Sequence, residues 1–307
     1  MGPLRLPSPL QARVETAARD LMSVDGISVD FLGPAGAPAL VEADSVSWRI
    51  FKNPISLFIG GVAAVLLELA EPRVRSGVWD HTSFRTDPVT RLRRTGLAAM
   101  ITVYAPREAS AAMIAGVNRR HARVTGVADT GESYAADDTE LLDWVQATAS
   151  YGFIQSYHRF ARPLSDAERN RAWSEAAPAA RLYGATTAPT NEAGWDAALA
   201  AMQPRLEASP IIGEFLDIIR AAPALPAGAR LLQPMLVKAA VDLLPDAIRS
   251  KLMLQDAGLS PLERPLVQAI GRTADSLVLE TAPPALASRR MGQAADWLYR
   301  PPAARAA

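Results

Sequence analysis

The sequence predicts an all-α fold, a single multi-helix globular domain over residues 1–307. Apolar residues recur with helical spacing along almost the whole chain. The alternating pattern of strands is scarce, and residues 27–32 are the one fair candidate for a strand or extended arm. Hydrophobic residues make up 49% of the 307 positions, which is enough to bury one large core.

Two proline pairs bound the most apolar helix. Asn53-Pro54 should open it, and Glu71-Pro72 should close or kink it, because the residue before a proline is pushed away from the α region. The apolar run, residues 55–67, is shorter than the roughly twenty residues that a membrane span needs. We therefore expect a buried core helix and no membrane span.

The following helix carries arginines. Asp87 before Pro88 is a strong N-cap with a proline in the first turn, which predicts a helix over residues 88–104. Arg91 and Thr95, four residues apart, should share one face of it.

A further helix is predicted over about residues 107–125, and Gly126 is placed to end it. His121 follows Val117 by four residues, so we expect its imidazole on the apolar side of this helix.

A long helix is predicted over residues 141–160, after Asp137 and Glu140, which have the spacing of a capping box. Its apolar residues cover most of its circumference, so we expect it to be the central helix. Beyond it, Ala-rich helices separated by proline-rich breaks are predicted.

Composition excludes several function classes. Acidic and basic residues balance at 32 each, so no overall charge favours nucleic acid or an anionic membrane. The absence of cysteine excludes disulfides, thiolate nucleophiles, iron–sulfur ligation and cysteine-bound zinc. No secretory signal pattern opens the sequence, so we expect a cytoplasmic protein.

Sequence motifs narrow the choice further. The phosphate loop, the dinucleotide-binding glycine turn, the nucleophile elbow and the His-Glu-x-x-His zinc helix are all missing. A di-iron carboxylate bundle needs Glu three residues before His on two helices. The residues at that position before the three histidines are Val78, Asn118 and Gln155.

What remains is one histidine on an apolar helix face, arginines on a neighbouring helix, and Gly60-Gly61 inside a buried helix. A single imidazole on an apolar wall can hold haem iron, with arginines for the propionates and glycines that let a flat macrocycle approach the backbone. Judged by residue type alone, however, His121 is more often a hydrogen-bonded core residue. Both interpretations stay open at this point.

The other candidates also have structural alternatives. His81 could be a ligand, but in its polar turn a hydrogen-bonding role between helices is favoured. The arginines after Asp87 could form a solvated helix face. Glu68 and Glu71 could be buried carboxylates with raised pKa values, although surface positions beyond the core are favoured.

An ordered set of short motifs carries a family resemblance. They are residues 44–49 (Asp-Ser-Val-Ser-Trp-Arg), 60–67 (Gly-Gly-Val-Ala-Ala-Val-Leu-Leu), 77–88 (Gly-Val-Trp-Asp-His-Thr-Ser-Phe-Arg-Thr-Asp-Pro), 91–95 (Arg-Leu-Arg-Arg-Thr), 121–126 (His-Ala-Arg-Val-Thr-Gly) and 141–145 (Leu-Leu-Asp-Trp-Val). Together they resemble the oxygenase family of the latex-clearing rubber oxygenases and the membrane-bound oxygenase of mycophenolic acid biosynthesis. The best-matching core is 44–160, preceded by an N-terminal arm (1–40) and followed by C-terminal helices (161–307) with a looser likeness.

The resemblance implies b-type haem in a buried cavity between helices, with His121 as the proximal iron ligand. Arg91 and Thr95 match the family's Arg-x-x-x-Thr beside the haem, and Arg94 occupies the position of a distal lysine. An arginine does not readily deprotonate to leave iron open as a lysine can, so the distal chemistry need not be the same.

The chain departs from the family at three points. Many relatives have a histidine where this chain has Gln146, and another where it has Glu71. The rubber oxygenases also use a carboxylate as a proposed base, for which Glu68 and Glu71 are the candidates here.

The leading hypothesis is a haem-dependent oxygenase that uses O₂ on an apolar substrate, an isoprenoid or another alkene. The rival is a metal-free helical protein that binds an apolar small molecule. A third hypothesis is a non-haem enzyme that uses His81 and His121 with a carboxylate.

Overall fold

The structure is a computed structural model that describes residues 2–24 and 26–301, most of which lie in helices. The α-helices in these residues are α1 (Ser8–Met22), α2 (Val46–Phe51), α3 (Pro54–Leu69), α4 (Pro72–His81), α5 (Pro88–Tyr104), α6 (Arg107–His121), α7 (Thr139–Phe160), α8 (Asp166–Tyr183), α9 (Glu192–Met202), α10 (Pro210–Ala221), α11 (Gln233–Leu243), α12 (Asp246–Lys251), α13 (Glu263–Ser276) and α14 (Pro283–Arg290). Short 3₁₀ turns lie at Ala227–Leu232, Gln255–Ala257 and Trp297–Tyr299. The predicted all-α domain is confirmed.

One small hairpin interrupts the helices. Strands β1 (Thr125–Val127) and β2 (Ser133–Ala135) pair antiparallel, with Gly126 opposite Tyr134. A Cβ atom on Gly126 would lie 2.5 Å from the Tyr134 hydroxyl oxygen. Glycine at this position therefore makes room for the tyrosine ring.

Helices α3 and α7 cross at the centre of the fold through two glycines. A Cβ atom on Gly60 would lie 2.6 Å from the carbonyl oxygen of Gly152, and one on Gly152 would lie 2.3 Å from that of Gly60. Side chains cannot fit between backbones this close. Around the crossing, α3 buries Ile59, Leu66 and Leu67 almost completely.

The core has two parts. The larger part surrounds α3, α7 and α11 and includes a group of stacked aromatic rings around Trp195, which lies 4.3 Å from Tyr151 and about 6 Å from Trp144 and Trp173 between centroids. The smaller part joins α5 to the N-terminal segment and to the turn near Tyr299.

Helices α3 and α4 begin at the capping residues that the sequence predicts as helix boundaries. Asn53 accepts hydrogen bonds from the backbone N–H groups of Ile55 and Ser56 at the start of α3. Glu71 accepts one from Val74 at the start of α4, and α3 and α4 are bent by 112° at this corner. No single helix in residues 2–24 and 26–301 is long and apolar enough to span a membrane; α3 and α4 meet that test only as a bent pair.

Residues 27–32, expected as a strand or an extended arm, form no strand; Ile27 makes only an isolated bridge with Val24. Two helix-boundary predictions are wrong. Helix α6 ends at His121 instead of near residue 125, and Gly126 belongs to β1.

At the start of α7, Asp138 takes the capping position that Asp137 was expected to hold. Its side chain accepts a hydrogen bond from the Glu140 N–H at 2.9 Å, and the helix therefore begins at Thr139.

The crossing of α3 and α7 can be tested with adjacent glycines. We expect Gly60→Ala to lower the free energy of unfolding by about 1–3 kcal/mol, because the new methyl group must push α3 away from α7. Gly61→Ala is the matched control, since its Cβ would meet nothing nearer than the Phe153 ring at 3.9 Å. It should stabilise the helix by up to about 1 kcal/mol. Urea denaturation of both variants measures the difference; equal effects would contradict a close crossing at Gly60.

Candidate functional site

Three ionisable side chains from three helices come together beside the α3–α7 crossing. Glu68 lies near the end of α3, Arg91 lies in the first turns of α5, and His121 is the last residue of α6. The positive charge of Arg91 lowers the pKa of both Glu68 and His121, so Arg91 lies within electrostatic reach of both. We call Glu68, Arg91 and His121 the candidate site.

Glu68 is a recessed carboxyl group. The residue as a whole is half-buried, but enough protein surrounds the carboxyl group that loss of contact with water has the largest effect on its pKa. Burial raises the pKa of Glu68 from 4.5 to about 7, against the opposing effects of Arg91 and of a hydrogen bond from Thr148. The carboxyl group is therefore near its midpoint at neutral pH.

Thr148 of α7 lies next to this carboxyl group. Its hydroxyl oxygen is 2.9 Å from the carbonyl oxygen of Val145 and 3.4 Å from Oε1 of Glu68. A hydroxyl has one proton, and the shorter distance favours the carbonyl as its acceptor. The hydrogen bond from Thr148 to Glu68 is therefore the weaker of the two, and its lowering effect on the pKa of Glu68 comes after the effects of burial and of Arg91.

Arg91 is held against its own helix. Its guanidinium group donates to the Thr95 hydroxyl, which in turn donates to the Arg91 carbonyl at 2.9 Å, so the predicted shared face is present. Burial lowers the pKa of Arg91, Glu68 opposes this effect, and the exposed Arg94 adds to it. Nε of Arg91 is buried and has no hydrogen-bond partner in the described part of the chain.

His121 also keeps a buried polar atom unpaired. Its Nδ1 has no hydrogen-bond partner within residues 2–24 and 26–301. Burial lowers the pKa of His121, and Arg91 lowers it further, against a smaller effect of Asp137. Both effects favour the neutral ring, which is the form that binds metals. The interpretation of His121 as a hydrogen-bonded core histidine is not supported at Nδ1.

Half-buried faces of α3 and α7 adjoin the candidate site. On α3 the half-buried positions follow helical spacing, as Phe58, Gly61, Val65 and Glu68. On α7 they are Leu142, Gln146, Ala149 and Phe153. Because Phe153 contacts Gly61, the two faces meet. The Gln146 amide donates a hydrogen bond to Ser150 at 3.3 Å within α7. The cavity between the helices stays a prediction.

Two other candidate residues, Gly60 and Glu71, are taken up by structural contacts. Gly60 contacts Gly152 backbone to backbone, which leaves it no room for a macrocycle. Glu71 is fully buried, caps α4 and pairs with Arg73 at 2.8 Å, so the surface position favoured for it is wrong. Arg73 also pairs with Glu140 near the start of α7, which ties the corner to the central helix.

His81 lies at the exposed end of α4, where Nε2 is 3.1 Å from the Tyr134 hydroxyl of β2. Within residues 2–24 and 26–301, no three histidine, aspartate or glutamate side chains are grouped so as to hold a metal ion. The non-haem hypothesis therefore lacks its ligand set.

Sequence reasoning missed the effects of Thr148 and Asp137 on the site. Thr148 belongs to no motif, and Asp137 was expected only as a helix cap; each affects the site because another helix or turn lies beside it. The helical face that Thr148 shares with Val145 and Gly152 is a weak signal that it meets α3.

The arrangement suits a group that takes one protein ligand. His121 offers a neutral imidazole with a buried, unpaired nitrogen, and Arg91 offers a buried, unpaired N–H donor nearby. Haem needs one axial nitrogen and cations for its propionates, and it needs no cluster of carboxylates. The residues present therefore fit haem.

Fold and site together define a helical protein with a buried ionisable cluster and a solitary histidine. A family model described as "ER-bound oxygenase mpaB/B'/Rubber oxygenase, catalytic domain" matches residues 48–276. This match covers well over half of the chain, and the chain belongs to that oxygenase family. The resemblance found in the sequence motifs is thereby confirmed. Comparisons with curated proteins and with solved structures gave no match.

The raised pKa of Glu68 predicts a pH-dependent stability. The folded state keeps the proton up to about pH 7, whereas the unfolded chain releases it near 4.5. The folded state thus binds more protons between these values, and stability falls as pH rises through this window. We expect Glu68→Gln to remove roughly 1–3 kcal/mol of this fall, allowing for solvent at the half-buried carboxyl group.

Urea denaturation across this pH range measures the effect. Glu132→Gln is the control, because Glu132 is exposed in the hairpin and its substitution should leave the pH profile unchanged. A wild-type profile that is parallel to that of Glu68→Gln would contradict a raised pKa.

Proposed function

We propose that the protein is a haem b-dependent oxygenase that oxidises an apolar substrate, an isoprenoid or another alkene, with His121 as the iron ligand. The supporting observation is the buried, unpaired Nδ1 of His121 within electrostatic reach of Arg91. Membership in the oxygenase family supports the reaction class. Haem, when bound, would supply the binding and activation of O₂.

His121 would hold the iron through a neutral ring nitrogen. Because its pKa is lowered by burial and by Arg91, little proton competition opposes ligation at neutral pH. The position of His121 at the end of α6 also matters, since the following turn returns the chain to β1 and leaves the ring at the edge of the helix.

Arg91 would place a positive charge beside the cofactor. Its unpaired Nε can donate to a propionate, and the bond to Thr95 restricts where the guanidinium points. Arg94 follows one turn later and is exposed, so its charge is more strongly screened.

Glu68 would hold or transfer a proton at its carboxyl oxygens. A group with a pKa of about 7 can release and take up a proton with similar ease at neutral pH. Thr148 of α7 contacts the carboxyl group directly and helps to position it.

The half-buried apolar faces would bind the substrate and exclude water. Phe58 and Val65 on α3 and Phe153 on α7 present hydrocarbon surface next to Gly61. Such surface binds an alkene by the hydrophobic effect and offers no hydrogen bond to a polar competitor. Gly61 lies on this face and has no side chain of its own, so only the Phe153 ring, 3.9 Å from its Cβ position, covers the backbone there.

A histidine scan tests the ligand. We expect protein expressed with added haem to show a Soret band and bound iron, and we expect His121→Ala to lose both while its helical circular dichroism is retained. His81→Ala and His158→Ala are the controls and should keep the band, because the first ring bonds Tyr134 and the second accepts from the Leu164 N–H. A colourless, iron-free wild-type protein that still binds an apolar probe would favour the metal-free binding protein.

A pair of arginines tests the helix face. We expect Arg91→Ala to weaken haem retention by roughly 1.5–3 kcal/mol, the value of a charge-assisted hydrogen bond. Arg93→Ala should matter less, because residues two apart do not share a helix face. Haem transfer to apomyoglobin measures the retention of haem in both variants. A larger loss for Arg93→Ala would place the cofactor on the Arg93 side of α5 and contradict the proposal.

A further inference from the structure

A cleft lies between the end of α7 and α13, away from the candidate site. It encloses about 240 Å³ and is lined by His158 and Arg159 of α7 and by Arg264, Gln268 and Arg272 of α13. None of its lining residues carries a carboxylate. We call this the basic cleft. His158 follows Thr148 by ten residues on α7, which separates the two places by about 15 Å along the helix axis.

The positive charge of the basic cleft is only partly balanced. Arg264 pairs with Asp242 at 2.7 Å, but Asp242 also pairs with Arg249 at 3.2 Å. Arg159 donates to the neutral carbonyl oxygen of Asp242 at 3.2 Å. Within residues 2–24 and 26–301, the guanidinium group of Arg272 has no hydrogen-bond or ion-pair partner. An anion in the cleft would therefore meet cations that still lack counter-charges.

The other polar groups of the cleft add donors. Nδ1 of His158 accepts a hydrogen bond from the Leu164 N–H at 2.9 Å, so the proton of the neutral ring lies on Nε2. The Gln268 amide donates to the Arg159 carbonyl at 3.1 Å, which fixes the side chain at the cleft wall. A site rich in N–H donors and poor in acceptors suits a ligand that has acceptors only.

The cleft stands on a rigid base. Helix α13 packs on the last turn of α7 so closely that a Cβ on Gly271 would lie 2.1 Å from the Phe160 carbonyl oxygen. Below it, the buried Asp275 accepts a hydrogen bond from Tyr157 at 3.0 Å and pairs with Arg162. The two walls are thus held at a fixed separation without a ligand.

We propose that the basic cleft binds a phosphate group. A phosphate has enough oxygens to accept from two or three guanidinium groups at once, whereas a carboxylate matches a single arginine. The volume lies below the roughly 300–1,000 Å³ of pockets that enclose larger ligands, so the cleft fits a small headgroup. The phosphate belongs either to a free metabolite or to a lipid whose chains stay outside.

Calorimetric titration of the full chain with inorganic phosphate, at ionic strength kept constant with chloride, tests the site. We expect saturable binding with one site, and we expect Arg272→Gln to weaken it by about tenfold, as the loss of one charge-assisted hydrogen bond predicts. Arg272→Lys should recover part of the affinity. Because Arg272 has no partner in the described residues, its substitution should leave the unfolding midpoint unchanged.

Arg19→Gln is the matched control, since it removes another exposed arginine, on α1. Absence of saturable phosphate binding, or equal weakening in both glutamine variants, would overturn the proposal. Flotation with phosphatidylcholine vesicles, with and without phosphatidic acid, identifies the source of the phosphate. Arg272-dependent binding that free phosphate competes away indicates a lipid headgroup, and phosphate binding without vesicle binding indicates a soluble ligand.

Discussion

The backbone contact between α3 and α7 is the constraint on which the rest of the structure depends. Two glycines let the helices approach until no side chain fits between them, and this fixes their register as well as their distance. Because the helices run antiparallel, Glu68, two turns after Gly60, meets Thr148, one turn before Gly152. In the same register the Trp144 indole N–H donates to the Leu67 carbonyl at 3.3 Å. The crossing therefore determines the surroundings of Glu68.

Within those surroundings, burial and the positive charge of Arg91 both affect the pKa values of Glu68 and His121. Burial favours the neutral form of each, so it raises the pKa of Glu68 and lowers that of His121. Arg91 favours the anionic carboxylate and the neutral imidazole. The result is a positive arginine near a carboxyl group with a pKa of about 7 and near an imidazole whose neutral form is favoured. In the proposed function, proton transfer and metal ligation would therefore belong to separate residues, Glu68 and His121.

What could be predicted from the sequence is what depends on neighbours along the chain. The caps at Asn53 and Asp87 and the shared face of Arg91 and Thr95 follow from local hydrogen bonding and helical spacing, and the structure contains them. The family likeness was likewise readable, because ordered motifs are a property of the chain itself.

The rest depends on contacts between distant elements. Gly126 resembles a helix stop, but its reason is the Tyr134 ring across the hairpin. Gly60 and Gly61 look equivalent in the sequence, yet only Gly60 faces another backbone. The sequence also does not reveal that Glu68 has a raised pKa whereas Glu71 caps α4. The burial of each carboxylate depends on helices that come later in the chain.

The crossing also sets the order in which the chain can fold. Gly152 follows Gly60 by 92 positions, so the most apolar helix of the protein lacks its main packing partner until α7 has been synthesised. At about 5–20 residues per second this interval lasts roughly 5–20 s on a translating ribosome. During that time α3 exposes a hydrocarbon surface that chaperones recognise and that can aggregate. The yield of folded protein in a cell therefore depends on how well α3 is protected until α7 can pack against it.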